Sequence, residues 1–316
     1  MSLESYAALY QFLARAYLRP PDSEFLELAA EIPELRCRLD GDLGQRHSQL
    51  FDFNVYPYAS VFLDPSGMLN APWSSFVGGV YRALGLEVDL KTGVAAQDHL
   101  SIELEALATL LERQANAQMD LEIFRAQHAQ HTLLIEHLLP WLPAFTEAVR
   151  RIDRGFYAAV ARLTQDTVLA HATEVVGDRP INPFSFPTAE EPLELPSVGR
   201  KGRGIARAEL QALLSPARSG LYLSRNDITR LGQALELPVR FAERAFMLES
   251  LIGSAAERGD LGQLFGQLGR VASGQKRTYR AWQRRAPVLA PLWNSWLDKL
   301  GETASLLGQL AEEHLR

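Results

Sequence analysis

One cysteine, Cys37, stands in 316 residues. An internal disulfide is therefore excluded, as is any iron–sulfur cluster or zinc site built from several thiolates of this chain, and the usage fits a reducing compartment. No apolar run approaches the ~20 residues needed to span a bilayer, so no membrane insertion is expected. The opening Met1-Ser2-Leu3-Glu4 lacks the basic region and unbroken apolar stretch of a secretory signal, which places the expected location in the cytoplasm. Alternating β-branched runs are scarce. Gly78-Gly79 and the glycines at 199, 202 and 204 follow no strand and precede no Gly-Lys-Ser/Thr, and no serine sits in a nucleophile elbow. No catalytic constellation is found, so neither enzymatic activity nor a cofactor is expected.

What is present is a chain that is 47% apolar, enough to fill a real core. Its net charge of −6 argues against a nucleic-acid partner. The two halves differ: residues 1–176 hold 13 Lys and Arg against 23 Asp and Glu, a charge of −10, while residues 177–316 hold 19 against 15, a charge of +4.

Apolar residues recur at three- and four-residue spacing nearly everywhere, which predicts an all-α fold. Tyr6, Tyr10, Leu13 and Tyr17 share the face of a first helix that must stop at Pro20-Pro21. Further helices are predicted over 22–32 and 43–53. An irregular connection follows through Pro57, Pro65, Gly67 and Pro72, and then a helix capped by Ser74 or Ser75 and ending before Gly85. Asp98 is the expected cap of a helix carrying Leu100, Leu104, Leu107 and Leu111 on one stripe. Helices over 121–139 and 143–174 complete a first domain, 1–176. Prolines at 180, 183, 187, 192 and 196 mark a linker over 177–204. A second helical domain, 205–316, is predicted with helices at 225–235, 241–258, 261–285 and 291–315 and a capping box at Ser224-x-x-Asp227.

Several clusters invite a functional reading. His128, His131 and His137 share a helix, but with no Glu-x-x-His order and no acidic ligand nearby they read as a solvated face, and no metal is expected. Cys37 lies between Arg36 and Arg38, which favour a thiolate, yet no base partner accompanies it. Basic residues at 200, 201 and 203, and Lys276, Arg277, Arg280 and Arg284 beside Arg285, are candidates for an anionic-ligand surface or simply solvated helix faces. At Asp98-His99 a helix cap, a first-turn histidine and the aromatics between Pro57 and Trp73 coincide.

The ordered series Leu50-Phe51, Tyr56 to Gly67, Tyr81-Arg82-Ala83-Leu84-Gly85-Leu86 and Asp98-His99-Leu100-Ser101-Ile102-Glu103-Leu104 resembles the TorD/DmsD/NarJ family of molybdoenzyme chaperones, over about residues 1–175. This chain carries Ala95-Ala96-Gln97 where the family pattern has Pro-x ahead of Asp-His. The resemblance implies a helical TorD-like domain that binds the precursor of a molybdopterin-containing oxidoreductase, often through its twin-arginine signal peptide, during cofactor insertion and before export. It further implies Asp98 and His99 as specificity residues.

A twin-arginine leader offers two guanidinium groups beside an apolar stretch, so its receptor needs carboxylates next to an apolar groove. Asp98 and Glu103 are the expected carboxylates. Tyr58, Phe62 and Trp73 are the expected apolar receivers, with core packing as their alternative. Two other functions remain open: assembly of a nitrate-reductase-type complex that is never exported, and a metal- or nucleotide-dependent enzyme using the histidine helix or the basic C-terminal face. Oligomerisation is possible through helix exchange across the long connection.

Overall fold

The computed structural model describes residues 1–88, 96–177, 179–186 and 207–315. The described chain is helical and, within it, extended pairing is confined to an isolated antiparallel bridge between Tyr58 and His99. The first region runs α1 (Leu3–Leu18), α2 (Ser23–Glu31), α3 (Pro33–Arg36), α4 (Leu43–Phe51), α5 (Ala59–Leu63), α6 (Pro72–Ala83), α7 (Leu100–Asn116), α8 (Asp120–His131), a π-helical turn at Thr132–Leu138, α9 (Leu142–Ile152) and α10 (Phe156–Val176). The second holds α11 (Arg207–Leu214), α12 (Pro216–Ser219), α13 (Arg225–Ala234), α14 (Arg244–Arg258), α15 (Leu261–Arg285), a 3₁₀ turn at Pro287–Trp293 and α16 (Asn294–Leu315).

Local chemistry explains the boundaries. Ser2 caps α1 by accepting from the Ser5 amide at 3.2 Å, and Asp22 caps α2 through the Phe25 amide at 2.9 Å. The aromatic stripe Tyr6, Tyr10, Tyr17 is buried as α1 packs along α7. The helix predicted over 143–174 is in fact two. Asp153 ends the first, and its carboxylate accepts from the amides of Gly155 and Ala158 at 3.0 and 2.9 Å, so it restarts the chain as α10. The irregular connection after residue 54 contains the short helix α5, and α6 begins at Pro72 after Ala71, with no side-chain cap from Ser74 or Ser75. The Ser224–Asp227 capping box is present.

Four helices of the first region are joined by a buried polar chain. Tyr10 Oη lies 2.9 Å from His171 Nδ1, His171 Nε2 lies 3.0 Å from Gln130 Oε1, and Gln130 Nε2 donates to Gln114 Oε1 at 2.8 Å. Because Gln130 Oε1 is the acceptor, His171 donates from Nε2; burial lowers its pKa to about 4, so the ring is neutral and takes the Tyr10 proton on Nδ1.

The second region packs directly on the first. Phe62 stacks on Tyr222 with ring centroids 4.8 Å apart, Trp293 Nε1 donates to the Leu139 carbonyl at 2.9 Å, and Tyr222 Oη donates to the Asn54 carbonyl at 2.7 Å. Buried apolar residues from both regions form one continuous cluster. Within the second region α15 and α16 run antiparallel, with Tyr279 stacked on Trp296 and Gly269 against Leu307. At Gly262 a Cβ would come within 2.9 Å of the Ala311 carbonyl oxygen, so glycine there sets how closely the two helices approach. Most of the expected 177–204 linker, and the basic residues at 200, 201 and 203, lie outside the described residues.

Candidate functional site

The Asp98-His99 pair begins where two extended segments meet. Ala59 donates its amide to the Asp98 carbonyl at 2.9 Å, and Leu100 donates to the Pro57 carbonyl at 2.8 Å, which together make the Tyr58–His99 bridge. One residue on, the Ser60 amide donates to Asp98 Oδ2 at 2.7 Å. Asp98 therefore caps α5 rather than its own helix. The expected cap of α7 moves one residue, to His99, whose extended backbone (φ −72°, ψ 138°) places Nδ1 to accept from the Ser101 amide at 3.1 Å. Ser101 Oγ lies 2.7 Å from the same nitrogen. An accepting Nδ1 leaves the proton on Nε2, and burial holds the imidazole neutral by driving its pKa down to about 3.

Burial sorts the expected site residues into two sets. Asp98 is 0% exposed, and His99, Glu103 and Phe62 are also buried. Phe62 stacks on Trp141 and Tyr222 and is a core residue at the contact between the two regions. Tyr58 and Trp73 are half-buried, and the Tyr58 ring meets the His99 imidazole edge-on at 4.7 Å. Burial pushes the Glu103 carboxyl pKa well up; the charge of Asp98 adds to the shift and the Trp141 indole opposes it. The Tyr81 hydroxyl is pushed the same way, first by burial and then by the charges of Glu103 and Asp98.

Around this frame stand exposed apolar side chains that the sequence pattern does not reveal. Asp64 folds the loop after α5: its Oδ1 accepts from the Ser66 amide at 2.9 Å and its Oδ2 from the Trp73 amide at 3.3 Å. The loop so formed presents Met68 at 64% exposure and Leu69 at 43%, and α6 presents Phe76 at 56%. Phe76 lies 5.3 Å from the Trp73 ring and 5.7 Å from His137. The Asp64-Pro65-Ser66-Gly67 sequence carries a turn signal, but nothing in it tells which side of the turn faces solvent. At Gly78 a Cβ would fall 1.4 Å from Gln97 Oε1, so the absence of a side chain lets Gln97 lie against α6.

The remaining candidates are dispersed. His128 is exposed and stacked on Phe124, His131 is half-buried, and His137 is buried under Phe76. Among the described residues no group of three or more His, Cys, Asp or Glu side chains is arranged to hold a metal ion. Cys37 is exposed. On α15, Arg277, Arg280 and Arg284 are exposed while Lys276 is half-buried against Gly301. Of these, Arg277 lines a cavity between α9, α13 and α15. Among the described residues no helix is long and apolar enough to cross a membrane.

Comparison with known proteins converges on this same region. Residues 6–147 match the nitrate reductase delta subunit family, a span that contains the bridge, the Asp64 loop and α7. The chaperone protein TorD of Vibrio cholerae is 34% identical over 139 residues, covering 44% of this chain and 57% of that protein. TorD of Aliivibrio fischeri is 34% identical over 161 residues, 44% of this chain and 74% of that protein, and TorD of Vibrio vulnificus is 26% identical over 180 residues, 56% of this chain and 83% of that protein. The chain thus spans a little over half the length of the Vibrio cholerae relative. It belongs to the TorD/NarJ family of molybdoenzyme-specific chaperones.

Proposed function

We propose that this protein is a non-catalytic, system-specific chaperone that holds the precursor of a molybdopterin-containing oxidoreductase in the cytoplasm while its cofactor is inserted. The observation that carries the reading is the exposure of Met68, Leu69 and Phe76, the last against Trp73, around a buried frame. A solvated cluster of this kind, on an ordered support, suits the apolar stretch of a client leader. Trp73 forms its inner edge. Asp98 and His99 act from below: Asp98 fixes α5 and His99 sets the start of α7, so both decide where the face stands. In this conformation the Asp98 carboxylate is engaged by Ser60 and is closed to a client guanidinium.

The test is calorimetric titration of the full chain with a synthetic twin-arginine leader from a molybdenum oxidoreductase of the same cell, alongside the leaderless enzyme. Saturable binding of the leader that is lost in Leu69→Ser with Phe76→Ser supports the reading. Binding unaffected by those changes overturns the assignment of the face. The family description as a nitrate reductase delta subunit favours a second reading, in which the client is a non-exported nitrate-reductase-type complex. Binding to a client that has no leader, with none to leader peptides, decides for it.

A further inference from the structure

A cavity of about 710 Å³ opens where the two regions meet, walled by α9, α13 and α15, and none of the client-face residues line it. Its lining includes four arginines, Arg150, Arg151, Arg230 and Arg277, and two carboxylates, Glu147 and Asp227. Asp227 is already committed, while Glu147 has one long contact. Asp227 Oδ2 takes Arg151 Nη2 at 3.0 Å together with the amide and hydroxyl of Ser224 at 2.9 and 2.8 Å, and Glu147 lies 3.8 Å from Arg150. Arg151 is further held by the Tyr222 carbonyl at 3.2 Å, which makes it part of the wall.

Three guanidinium groups retain donors for a ligand. Arg230 uses Nη1 on the Arg151 carbonyl at 3.0 Å and has its other nitrogens to offer. Arg150 has only the long Glu147 contact. Arg277 makes no hydrogen bond or ion pair among the described residues. The surplus of two positive charges matches a dianion, and forked guanidinium donors suit the oxygens of a phosphoryl group better than a single carboxylate. The volume lies in the range of small-molecule sites, and Leu231, Ala234, Val271 and Ala281 supply apolar wall for an organic body.

We propose that this cleft binds a small phosphate monoester, with Arg150, Arg230 and Arg277 on its phosphoryl group. The proposal is independent of the client reading, since it rests on different residues.

Phenyl phosphate is the probe, titrated into the full chain at low ionic strength, where surface charge is least screened. A dissociation constant below about 1 mM is expected. Arg230→Gln with Arg277→Gln weakens binding at least about tenfold with circular dichroism unchanged, while Arg280→Gln with Arg284→Gln, on the same helix but outside the cleft, leaves it intact. Equal loss in both double variants would reduce the site to diffuse surface charge and overturn the proposal. So would the absence of saturable binding, or tighter binding of a hexaglutamate peptide than of phenyl phosphate. Should the first variant fold poorly, hydrogen exchange on the unaltered chain decides: slowed exchange over 225–234 and 267–282 with the probe present supports the site, and unchanged exchange refutes it.

Discussion

Asp98 holds the amide of Ser60 at 2.7 Å across 38 residues of sequence, from a position that is 0% exposed. A carboxylate of one segment thus caps the helix of another, and hydrogen bonds tie the start of α5 to the head of α7. Truncation of Asp98 leaves a buried helix N-terminus without its acceptor. Asp98→Ala is expected to cost about 2–3 kcal/mol in urea unfolding, with Asp98→Asn losing less because the amide oxygen still accepts. An unfolding midpoint unchanged in Asp98→Ala would show that the bond contributes nothing to the fold.

Changes to the exposed face separate binding from stability. Leu69 and Phe76 are solvated, so Leu69→Ser with Phe76→Ser should alter unfolding free energy by no more than about 0.5 kcal/mol at each site. Leader binding, measured in the same preparation, should fall by about tenfold or more. Joint loss of both would place these side chains in the folding core instead.

Acid should weaken the protein through its buried imidazoles. Burial lowers His99 to about 3 and His137 and His171 to about 4, whereas an unfolded histidine titrates at about 6.5. Below that value the unfolded chain binds protons that the folded chain refuses, so stability falls steadily as pH drops from about 6.5 toward 4. Urea midpoints taken across this window check it. A flat profile would mean that these rings are solvated.

Glu103 acts with the opposite sign. Its carboxyl is held well above the ordinary value by burial and by Asp98, so its contribution is most favourable below the unfolded carboxylate range and is lost as pH rises through the folded value. Glu103→Gln removes that loss. The variant should match the parent in acid and exceed it at about pH 8 by on the order of 1 kcal/mol. A variant weaker than the parent at high pH would show instead that the carboxylate is paired.

Removal of the second region tests how far the first stands alone. A chain ending at residue 186 uncovers Phe62, strips Tyr222 from its stack and leaves the Leu139 carbonyl without Trp293. Raised binding of a hydrophobic dye and a broadened unfolding transition are expected. Sharp cooperative unfolding with no dye binding would show two independent domains.

The residues of this chain settle its all-α class and most of its long helices, and point to its family, before any coordinates are seen. Three- and four-residue spacing draws α1, α7 and α15, prolines stop α1, and the Ser224-x-x-Asp227 box starts α13, because each of these is a contact between near neighbours. The break at Asp153 was hidden because apolar spacing carries on through 143–174 while one carboxylate redirects the backbone. The site was legible only as a location. Asp98-His99 could be read as a cap and a first-turn histidine, but which helix Asp98 caps depends on Ser60, and whether Phe62 faces a client or Tyr222 depends on a residue 160 positions away. Such choices belong to tertiary structure, since burial and long-range hydrogen bonding are decided by what packs from elsewhere in the chain. The same holds for the arginine cleft: α9, α13 and α15 each supply their part, and only packing brings four guanidinium groups around one space.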